Sequence, residues 1–306
     1  MNPGTETAEL DGHLKRLHLA YTRGAYHALI ERAEKENWSF HAFLIALVCG
    51  EMSHRQETRI QRFVRKAKFP FLKTIDDFNF AHQTALRPIT LGSFLSPDFA
   101  TDGRCLILHG KTGRGKTHLA VAVAYKAIQN GFDALFTTAA ALIDDLSRAG
   151  REGRFQEALA TYTHPGVLVI DEVGYLTYGP DAANVLFHVV NDRHLKRRAM
   201  IFTTNKRLKA WGQVLHDPDL AEAIIDRALE RGRFIELDGP SGRTKHLGVD
   251  LVEEAMQESD IISGKSRTEF PEPALGLHGI SITDTTSGCP SFRAVHAISP
   301  YHQFLW

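Results

Sequence analysis

A phosphate-binding motif is the strongest chemical signal in the sequence. Residues 110–117 read Gly-Lys-Thr-Gly-Arg-Gly-Lys-Thr, which matches the pattern GxxxxGK[ST] in full. Glycines let the backbone wrap closely around a polyphosphate, and the N–H groups that open the following helix supply a fixed positive field. The motif predicts that Lys116 reaches the β- and γ-phosphates and that the Thr117 hydroxyl is a ligand of Mg²⁺. The predicted ATP-binding residues are Gly110, Lys111, Thr112, Gly113, Arg114, Gly115, Lys116, Thr117 and His118.

Two adjacent acids, Asp171 and Glu172, follow the continuously apolar segment Val167–Ile170. Such a segment is typical of a strand that is covered on both faces, and open α/β sheets bind ligands at the carboxyl ends of their strands. We predict that Asp171 holds Mg²⁺ through a water molecule and that Glu172 polarises the attacking water. Two acids after a strand belong more often to a solvated loop, so the upstream phosphate-binding motif is what favours the catalytic role.

Two further side chains could complete the site. Asn205 ends the triplet Thr203–Asn205 after the next predicted strand. It would orient the water if that strand lies between the two strands that carry the motifs, and an Asn in an ordinary turn is the alternative. Arg227, on a helix that begins at Asp217, could stabilise charge on the γ-phosphate of a neighbouring subunit. The alternative is a surface Arg paired with Glu230 on the same helix face.

These motifs lie in a region, from residue 69 to about 250, where short apolar strands alternate with longer helical patterns. Five predicted strands with helical crossovers indicate an α/β fold around a parallel five-stranded sheet. Residues 9–68 contain no proline and repeat apolar residues at helical spacing, which predicts a small all-helical domain before the sheet. From Ser263 onward, 18 of 44 residues are Ser, Thr, Pro or Gly, and we expect this tail to be poorly ordered.

Composition excludes several classes of protein. Lys+Arg and Asp+Glu both count 36, so a wholly basic coat protein is excluded while a local basic surface remains possible. The three cysteines, Cys49, Cys105 and Cys289, form no CxxC pair, which argues against a disulfide framework and a zinc site. The chain shows neither a signal-peptide pattern nor 18 consecutive apolar residues, so we expect a cytoplasmic protein with no membrane partner.

Five segments together carry a resemblance to a known family. They are Gly110–Ala120, Val169–Leu176, Thr203–Asn205, Trp211–Gly212 and Leu220–Arg227. Over about residues 10–250 the chain resembles the IstB/DnaC family of AAA+ ATPases, and most of all its transposition helpers. The resemblance implies an AAA+ P-loop NTPase that hydrolyses ATP with Mg²⁺ at the subunit interfaces of a homo-oligomer. It further implies Asn205 as the first sensor, Arg227 as the arginine finger and Arg243 as the second sensor.

The resemblance also implies a domain organisation and partners. We expect a helical DNA- or partner-binding domain over residues 1–70, an ATPase domain over 71–250 and a tail over 251–306. Double-stranded DNA and a cognate IstA-type transposase are the implied partners. A DnaC-like loader of a replicative helicase, or an ATP-gated DNA-binding module with little turnover, are the alternatives. The chain departs from the family at Lys111 and Arg114, and Gly242 stands beside Arg243 where an aromatic residue is common.

A stripe of cations on the last predicted N-terminal helix could bind nucleic acid. Residues 54–68 hold six Lys or Arg against one acid, and four of the six recur at helical spacing on one face. Cations at this pitch can follow a phosphate backbone without reading bases. Alone, the stripe would be a solvated helix face, but the family resemblance favours DNA. The predicted DNA-binding residues are Arg55, Arg59, Arg62, Arg65 and Lys66.

Overall fold

The computed structural model describes residues 3–80, 83, 86, 88–175 and 178–241. The α-helices in these ranges are α1 (Pro3–Arg16), α2 (Ala20–Lys35), α3 (Phe40–Ala67), α4 (Pro88–Leu95), α5 (Asp98–Thr101), α6 (Lys116–Gln129), α7 (Ala139–Arg151), α8 (Phe155–Thr163), α9 (Ala182–Leu195), α10 (Trp211–Leu215) and α11 (Pro218–Glu230). The strands are β1 (Cys105–His109), β2 (Ala134–Thr138), β3 (Val167–Val173), β4 (Ala199–Thr204) and β5 (Gly232–Glu236). The predicted tail and Arg243 lie outside the described residues.

The five strands form one parallel sheet in the order β2-β3-β4-β1-β5. Because β4 pairs with β1 on one side and β3 on the other, its carboxyl end lies between the ends of the two motif-bearing strands. The predicted α/β class, with a parallel five-stranded sheet preceded by helices, is confirmed. The position of β4 is the condition on which the prediction for Asn205 depended.

Both faces of the sheet are covered, as a parallel sheet requires. Alternate residues of β3 show this directly, because Leu168 belongs to one buried cluster and Val169 to the other. The first cluster packs α7, α8, α9, α10 and α11 on its face, and the second packs α4, α5, α6 and the end of α3 on the opposite face. The strands therefore form the centre of a core with two layers of helices around it.

Local signals place several of these elements where the sequence predicts them. The Asp217 carboxylate caps α11 by accepting a hydrogen bond from the Leu220 N–H at 2.9 Å, and Pro218 occupies the first turn. Helix α6 begins at Lys116, directly after the phosphate-binding glycines. Strand β3 extends three residues beyond the predicted Ile170, so both predicted acids lie within the strand. In the described part of the chain, no helix has the length and apolar character needed to cross a bilayer.

Helix α3 joins the N-terminal helices to the sheet layers. Its first half packs on α2, where the buried Glu51 carboxylate accepts hydrogen bonds from the Thr22 N–H and hydroxyl at 3.0 and 3.2 Å. Its second half turns Phe63 and Val64 toward the second buried cluster, and Ala67 is fully buried there. The helix therefore continues into the core of the following domain, and a domain boundary at residue 70 stays a prediction.

A buried cation, Arg193 on α9, fixes the start of two central strands. Its guanidinium donates to four carbonyl groups at 2.6–3.2 Å, and its side chain is fully buried. Burial lowers the pKa of Arg193 to about 9, so the group stays charged at neutral pH. The four acceptors lie in the last turn of α8, between α8 and β3, and at the start of β4, namely on Tyr162, Pro165, Gly166 and Ala199. One side chain thus holds these backbone segments in register.

Replacing Arg193 with Leu should lower the free energy of unfolding by about 3–5 kcal/mol, because four buried carbonyl groups lose their donor. Urea denaturation followed by circular dichroism measures the change. Arg148→Leu is the control, since Arg148 forms only an exposed ion pair with Asp145, and it should change stability by less than about 1 kcal/mol. Equal effects of the two substitutions would contradict this role for Arg193.

Candidate nucleotide-binding site

A cavity of about 580 Å³ opens at the carboxyl ends of β1, β3 and β4. Five sequence segments line it: the loop after α3, the phosphate-binding loop with the start of α6, the end of β2, the end of β3 and the end of β4. The lining residues that the sequence predicted are Thr112, Gly113, Gly115, Lys116, Thr117, His118, Asp171, Glu172 and Asn205. The carboxyl edge of an open parallel sheet is where such folds bind their ligands. The fold therefore brings both predicted motifs to one opening.

The phosphate-binding loop turns through two glycines with left-handed backbone. Gly113 has φ +83° and Gly115 has φ +86°, and a Cβ on Gly113 would collide with the Ser241 hydroxyl. Gly115 is the N-cap of α6, so the loop delivers the positive end of that helix to the cavity. The Lys116 ammonium folds back over the loop and donates to the Lys111 carbonyl at 2.9 Å. This arrangement concentrates N–H groups and one cation at a position suited to phosphate.

Three residues of the predicted ATP-binding set, Gly110, Lys111 and Arg114, do not line the cavity. The Arg114 guanidinium donates to the Leu237 carbonyl at 3.2 Å, beyond the end of β5. The Arg114 carbonyl in turn accepts a hydrogen bond from the side chain of Gln83 at 3.1 Å. The Arg114 side chain thus points to the segment that follows β5 and not into the cavity. Its hydrogen bond connects that segment to the phosphate-binding loop.

The Asp171 carboxylate lies between the phosphate-binding loop and β4. The Thr117 hydroxyl donates to its two oxygens at 3.0 and 3.1 Å, and the Thr203 hydroxyl donates to one of them. Asp171 is only 5% exposed, and this burial raises the pKa of its carboxyl while the two hydroxyl groups and Lys116 act in the opposite direction. Thr117 and Asp171 are therefore in direct contact, although 54 residues separate them in the sequence.

The donor groups at this point suit Mg²⁺. A hydroxyl and a carboxylate are hard oxygen ligands, and Mg²⁺ commonly takes one or two protein carboxylates together with substrate phosphates. In the described residues, no group of three or more His, Cys, Asp or Glu could hold a metal ion without such a substrate. Thr117 and Asp171 fit a magnesium ion that arrives with the nucleotide.

Glu172 lies on an irregularity of β3. Ile170 pairs with Phe202 and Val173 pairs with Thr204, so Asp171 and Glu172 together oppose only Thr203. This is a β-bulge, which redirects side chains and is frequent beside active sites. Glu172 has φ +60°, and its N–H donates to the Thr203 hydroxyl at 2.9 Å instead of to a carbonyl of β4. The bulge leaves the Glu172 side chain exposed at the cavity while the neighbouring residues remain buried.

Asn205 lies at the end of β4, inside the cavity. Its Oδ1 atom is buried and has no hydrogen-bond partner in the described structure. A buried polar atom without a partner is rare and costly, and bound water commonly satisfies such groups. The position between the phosphate-binding loop and the bulge suits an amide that orients a water molecule.

The loop after α3 forms a wall of the cavity that the sequence interpretation did not include. Pro70, Phe71 and Lys73 line it from this side. The loop is held against α6 because the Nε2 atom of His118 lies 3.1 Å from the Thr74 carbonyl. Burial lowers the pKa of His118, which favours the neutral imidazole at this contact. No motif marks this loop, so only its aromatic and basic composition could have drawn attention to it.

Arg227 lies on α11 and does not line the cavity. Its Nε donates to the Asn191 side chain at 3.0 Å, and its guanidinium stacks 4.9 Å from the Phe187 ring centre. The carboxylate of Glu230, the partner in the alternative interpretation, instead lies 3.1 Å from the Nε2 atom of His194. Arg227 is half-buried on α11 against α9, outside the lining of the described cavity.

The five residues of the predicted cationic stripe are all exposed on α3, but they differ in their contacts. Arg55 pairs with Glu51 at 3.1 Å and donates to the His18 carbonyl at 3.2 Å. Arg59 donates to the Gly131 carbonyl, at the end of α6, at 2.9 Å. The guanidinium of Arg62 lies 5.6 Å from the centre of the Phe63 ring. Arg62, with Arg65 and Lys66 in the last turn, is therefore the freer end of the stripe.

Comparison with known proteins agrees with this geometry. The family model described as IstB-like ATP binding protein matches residues 12–248. A protein of insertion sequence IS5376 from Geobacillus stearothermophilus, named for ATP binding, is 35% identical over 230 residues, which cover 75% of this chain and 91% of the relative. A similarly named protein of insertion sequence IS21 from Pseudomonas aeruginosa is 31% identical over 237 residues, which cover 78% of this chain and 89% of the relative.

Among solved structures, the DnaC helicase loader is 22% identical, with a TM-score of 0.44, and the alignment covers 58% of this chain and 99% of that one. The family assignment depends on the sequence matches, because the family model spans most of the chain and two relatives exceed 30% identity over about three quarters of it. The chain belongs to the IstB-like family of ATP-binding proteins.

Proposed function

We propose that this protein is a Mg²⁺-dependent AAA+ ATPase that assembles on duplex DNA and assists a cognate transposase. One observation carries the proposal: the phosphate-binding loop, Asp171, Glu172 and Asn205 converge on one cavity at the ends of three neighbouring strands. A nucleotide-binding module without turnover would need the loop and Asp171. Such a module would not need the exposed Glu172 carboxylate or the buried Asn205 amide. The presence of these two groups therefore supports a protein that hydrolyses ATP.

The residues of the cavity divide the chemistry of hydrolysis between them. The N–H groups of the loop and the Lys116 ammonium neutralise the β- and γ-phosphates. The Thr117 hydroxyl and the Asp171 carboxylate would hold Mg²⁺, which would supply neutralisation of the charge that develops on the phosphates. Glu172 polarises the attacking water, and the Asn205 amide orients that water toward the γ-phosphate.

Arg227 acts in the neighbouring subunit in this proposal. Its position on α11, against α9 and outside the cavity of its own chain, is the geometry expected of a cation that completes a second chain's site. The Asn191 and Phe187 contacts hold the guanidinium in a defined orientation, which lowers the entropy that it loses on meeting the γ-phosphate. The ATP sites would then lie between the subunits of a homo-oligomer.

The freer end of the cationic stripe is the DNA-binding surface in this proposal. Arg62, Arg65 and Lys66 are exposed and have no carboxylate partner among the described ion pairs, so they are available to phosphates. Arg59 contributes differently, because its guanidinium docks α3 on the end of α6. Contacts of this kind bind the backbone of any sequence, so target preference should be weak.

A transposase is the favoured macromolecular partner, because the similar proteins named above belong to insertion sequences. A replicative helicase is the alternative. Capture experiments with the immobilised protein separate the two: in the presence of MgATP and DNA, an IstA-type transposase should be retained and a hexameric helicase should not. Retention of the helicase alone would overturn the choice of partner without affecting the ATPase.

Glu172→Gln should lower the rate of ATP hydrolysis by at least about 100-fold, because the amide cannot polarise water. ATP affinity should stay within about twofold of the original, since Glu172 is not a phosphate ligand in this mechanism. Phosphate release and equilibrium nucleotide binding measure the two effects. Glu157→Gln, at an exposed acid of α8, is the control for the change of charge. A turnover that is negligible in the original protein and unchanged in Glu172→Gln would indicate an ATP-gated binding module.

Two inactive variants should restore hydrolysis when mixed, if Arg227 acts across the subunit interface. In a mixture of Lys116→Ala and Arg227→Ala subunits, about one quarter of the interfaces would pair an intact loop with an intact arginine. We expect a corresponding fraction of the original ATPase rate. As a control, Arg227→Ala mixed with the double variant Lys116→Ala/Arg227→Ala should give no recovery. No recovery in the first mixture would argue against a shared site.

Replacing Arg62 and Arg65 together with Ala should weaken binding of duplex DNA by a similar factor for unrelated sequences. The slope of log affinity against log salt concentration should fall by about 2, one unit for each lost phosphate contact. Fluorescence anisotropy over a salt series measures both quantities. Arg148→Ala/Arg151→Ala removes two exposed arginines from the last turn of α7 and serves as the control. A salt slope unchanged by the α3 substitutions would exclude this surface.

A further inference from the structure

The backbone of Glu172 is held by hydroxyl groups on both sides. Its N–H donates to the Thr203 hydroxyl at 2.9 Å. Its carbonyl accepts from the Tyr178 hydroxyl at 3.2 Å and from the Tyr175 N–H, in the turn that follows, at 3.2 Å. The Tyr178 hydroxyl also accepts a hydrogen bond from the Gly174 N–H at 3.0 Å. A single phenol therefore connects the residues on either side of Val173, the last residue of β3.

This part of the backbone needs support from outside the strand. Glu172 has φ +60°, a left-handed conformation that is disfavoured for a residue with a Cβ. The bulge also removes the regular pairing with β4, so the neighbouring strand cannot hold Glu172 by ladder hydrogen bonds. Side-chain hydroxyl groups take the place of the missing ladder contacts, and the direction of the Glu172 side chain depends on them.

Tyr178 is itself well fixed. Its ring belongs to the buried cluster that contains α9 and α10, and its carbonyl lies 3.1 Å from the Nε2 atom of His216. Burial raises the pKa of the Tyr178 phenol, so the hydroxyl remains protonated and able to donate at neutral pH. Of the two donors to the Glu172 carbonyl, the Tyr178 hydroxyl is thus the one that is anchored in the core.

We propose that Tyr178 is a positioning residue for hydrolysis: its hydroxyl keeps the Glu172 backbone in the left-handed conformation that directs the carboxylate into the nucleotide cavity. Tyr178 is not among the described residues that line the nucleotide cavity, so its side chain is not placed to touch ATP. It acts through the bulge. This inference depends on the proposed ATPase function, and it assigns to the hydroxyl an effect on turnover but not on nucleotide affinity.

A second tyrosine supplies a close control. Tyr162, on α8, is also buried in the same cluster, and its hydroxyl donates to the Asp145 carboxylate at 2.9 Å. It does not line the nucleotide cavity. Tyr162→Phe and Tyr178→Phe each remove one hydroxyl from a buried ring, so a general loss of stability would affect both. Only Tyr178→Phe removes a contact with the bulge.

The experiment measures steady-state ATP hydrolysis and nucleotide affinity of the full chain for both variants. We expect Tyr178→Phe to lower kcat about tenfold, because a small displacement of a catalytic group is costly, while KM and ATP affinity change by less than about twofold. Tyr162→Phe should retain the original kcat. A kcat of Tyr178→Phe within about twofold of the original, or an equal loss in both variants, would overturn the proposal.

A double variant tests whether Tyr178 acts through Glu172. In single-turnover hydrolysis, adding Tyr178→Phe to Glu172→Gln should cause no further loss, because the positioned carboxylate is already gone. A further tenfold loss would show an independent, structural effect and would contradict the proposal. If Glu172→Gln itself retains turnover, the proposed function fails and this inference fails with it. If Glu172→Gln is inactive and Tyr178→Phe is fully active, only the inference fails.

Discussion

The hydrogen bonds from Thr117 and Thr203 to the Asp171 carboxylate join three strands at the point where the nucleotide would bind. Thr117 follows β1, Asp171 lies on β3 and Thr203 lies on β4, which separates the other two. Two hydroxyl donors make it possible to bury a carboxylate beside the phosphate-binding loop, where burial alone would favour its neutral form. The Thr203 hydroxyl also accepts from the Glu172 N–H, so the same contact fixes the bulge that exposes Glu172.

Helix α6 connects this site to the N-terminal helices. Its first turn carries Lys116 and Thr117, and His118 in the same turn contacts the loop after α3. Its other end, at Gly131, accepts a hydrogen bond from Arg59 of α3. One end of α6 is therefore in contact with the loop after α3, and its other end is in contact with α3 itself, which carries the cationic stripe. A displacement of α6 on nucleotide binding has a direct physical route to the proposed DNA-binding surface.

The sequence was sufficient to predict a parallel five-stranded sheet preceded by helices, and to predict that the glycine-rich motif and the acidic pair lie at the carboxyl edge of that sheet. These features produce local signals: apolar runs for strands such as Val167–Ile170, a capping Asp217, and the glycine spacing of the loop. The side chains that support the site gave no such signal. Tyr178 and Thr203 act by binding backbone groups, and Arg193 binds carbonyls from three separate segments, so their roles depend on the folded arrangement. The exclusion of Arg114 from the cavity likewise follows from its contact with Leu237, 123 residues away in sequence.

Binding of MgATP to the folded protein is the most direct test of the proposed site. We predict that isothermal titration calorimetry with ATP and Mg²⁺ gives about one binding event per subunit, and that affinity falls when Mg²⁺ is withheld, because Thr117 and Asp171 then lose the ion that links them to the phosphates. Absence of any heat with well-folded protein, or an affinity that does not depend on Mg²⁺, would contradict the assignment of this cavity as a nucleotide site.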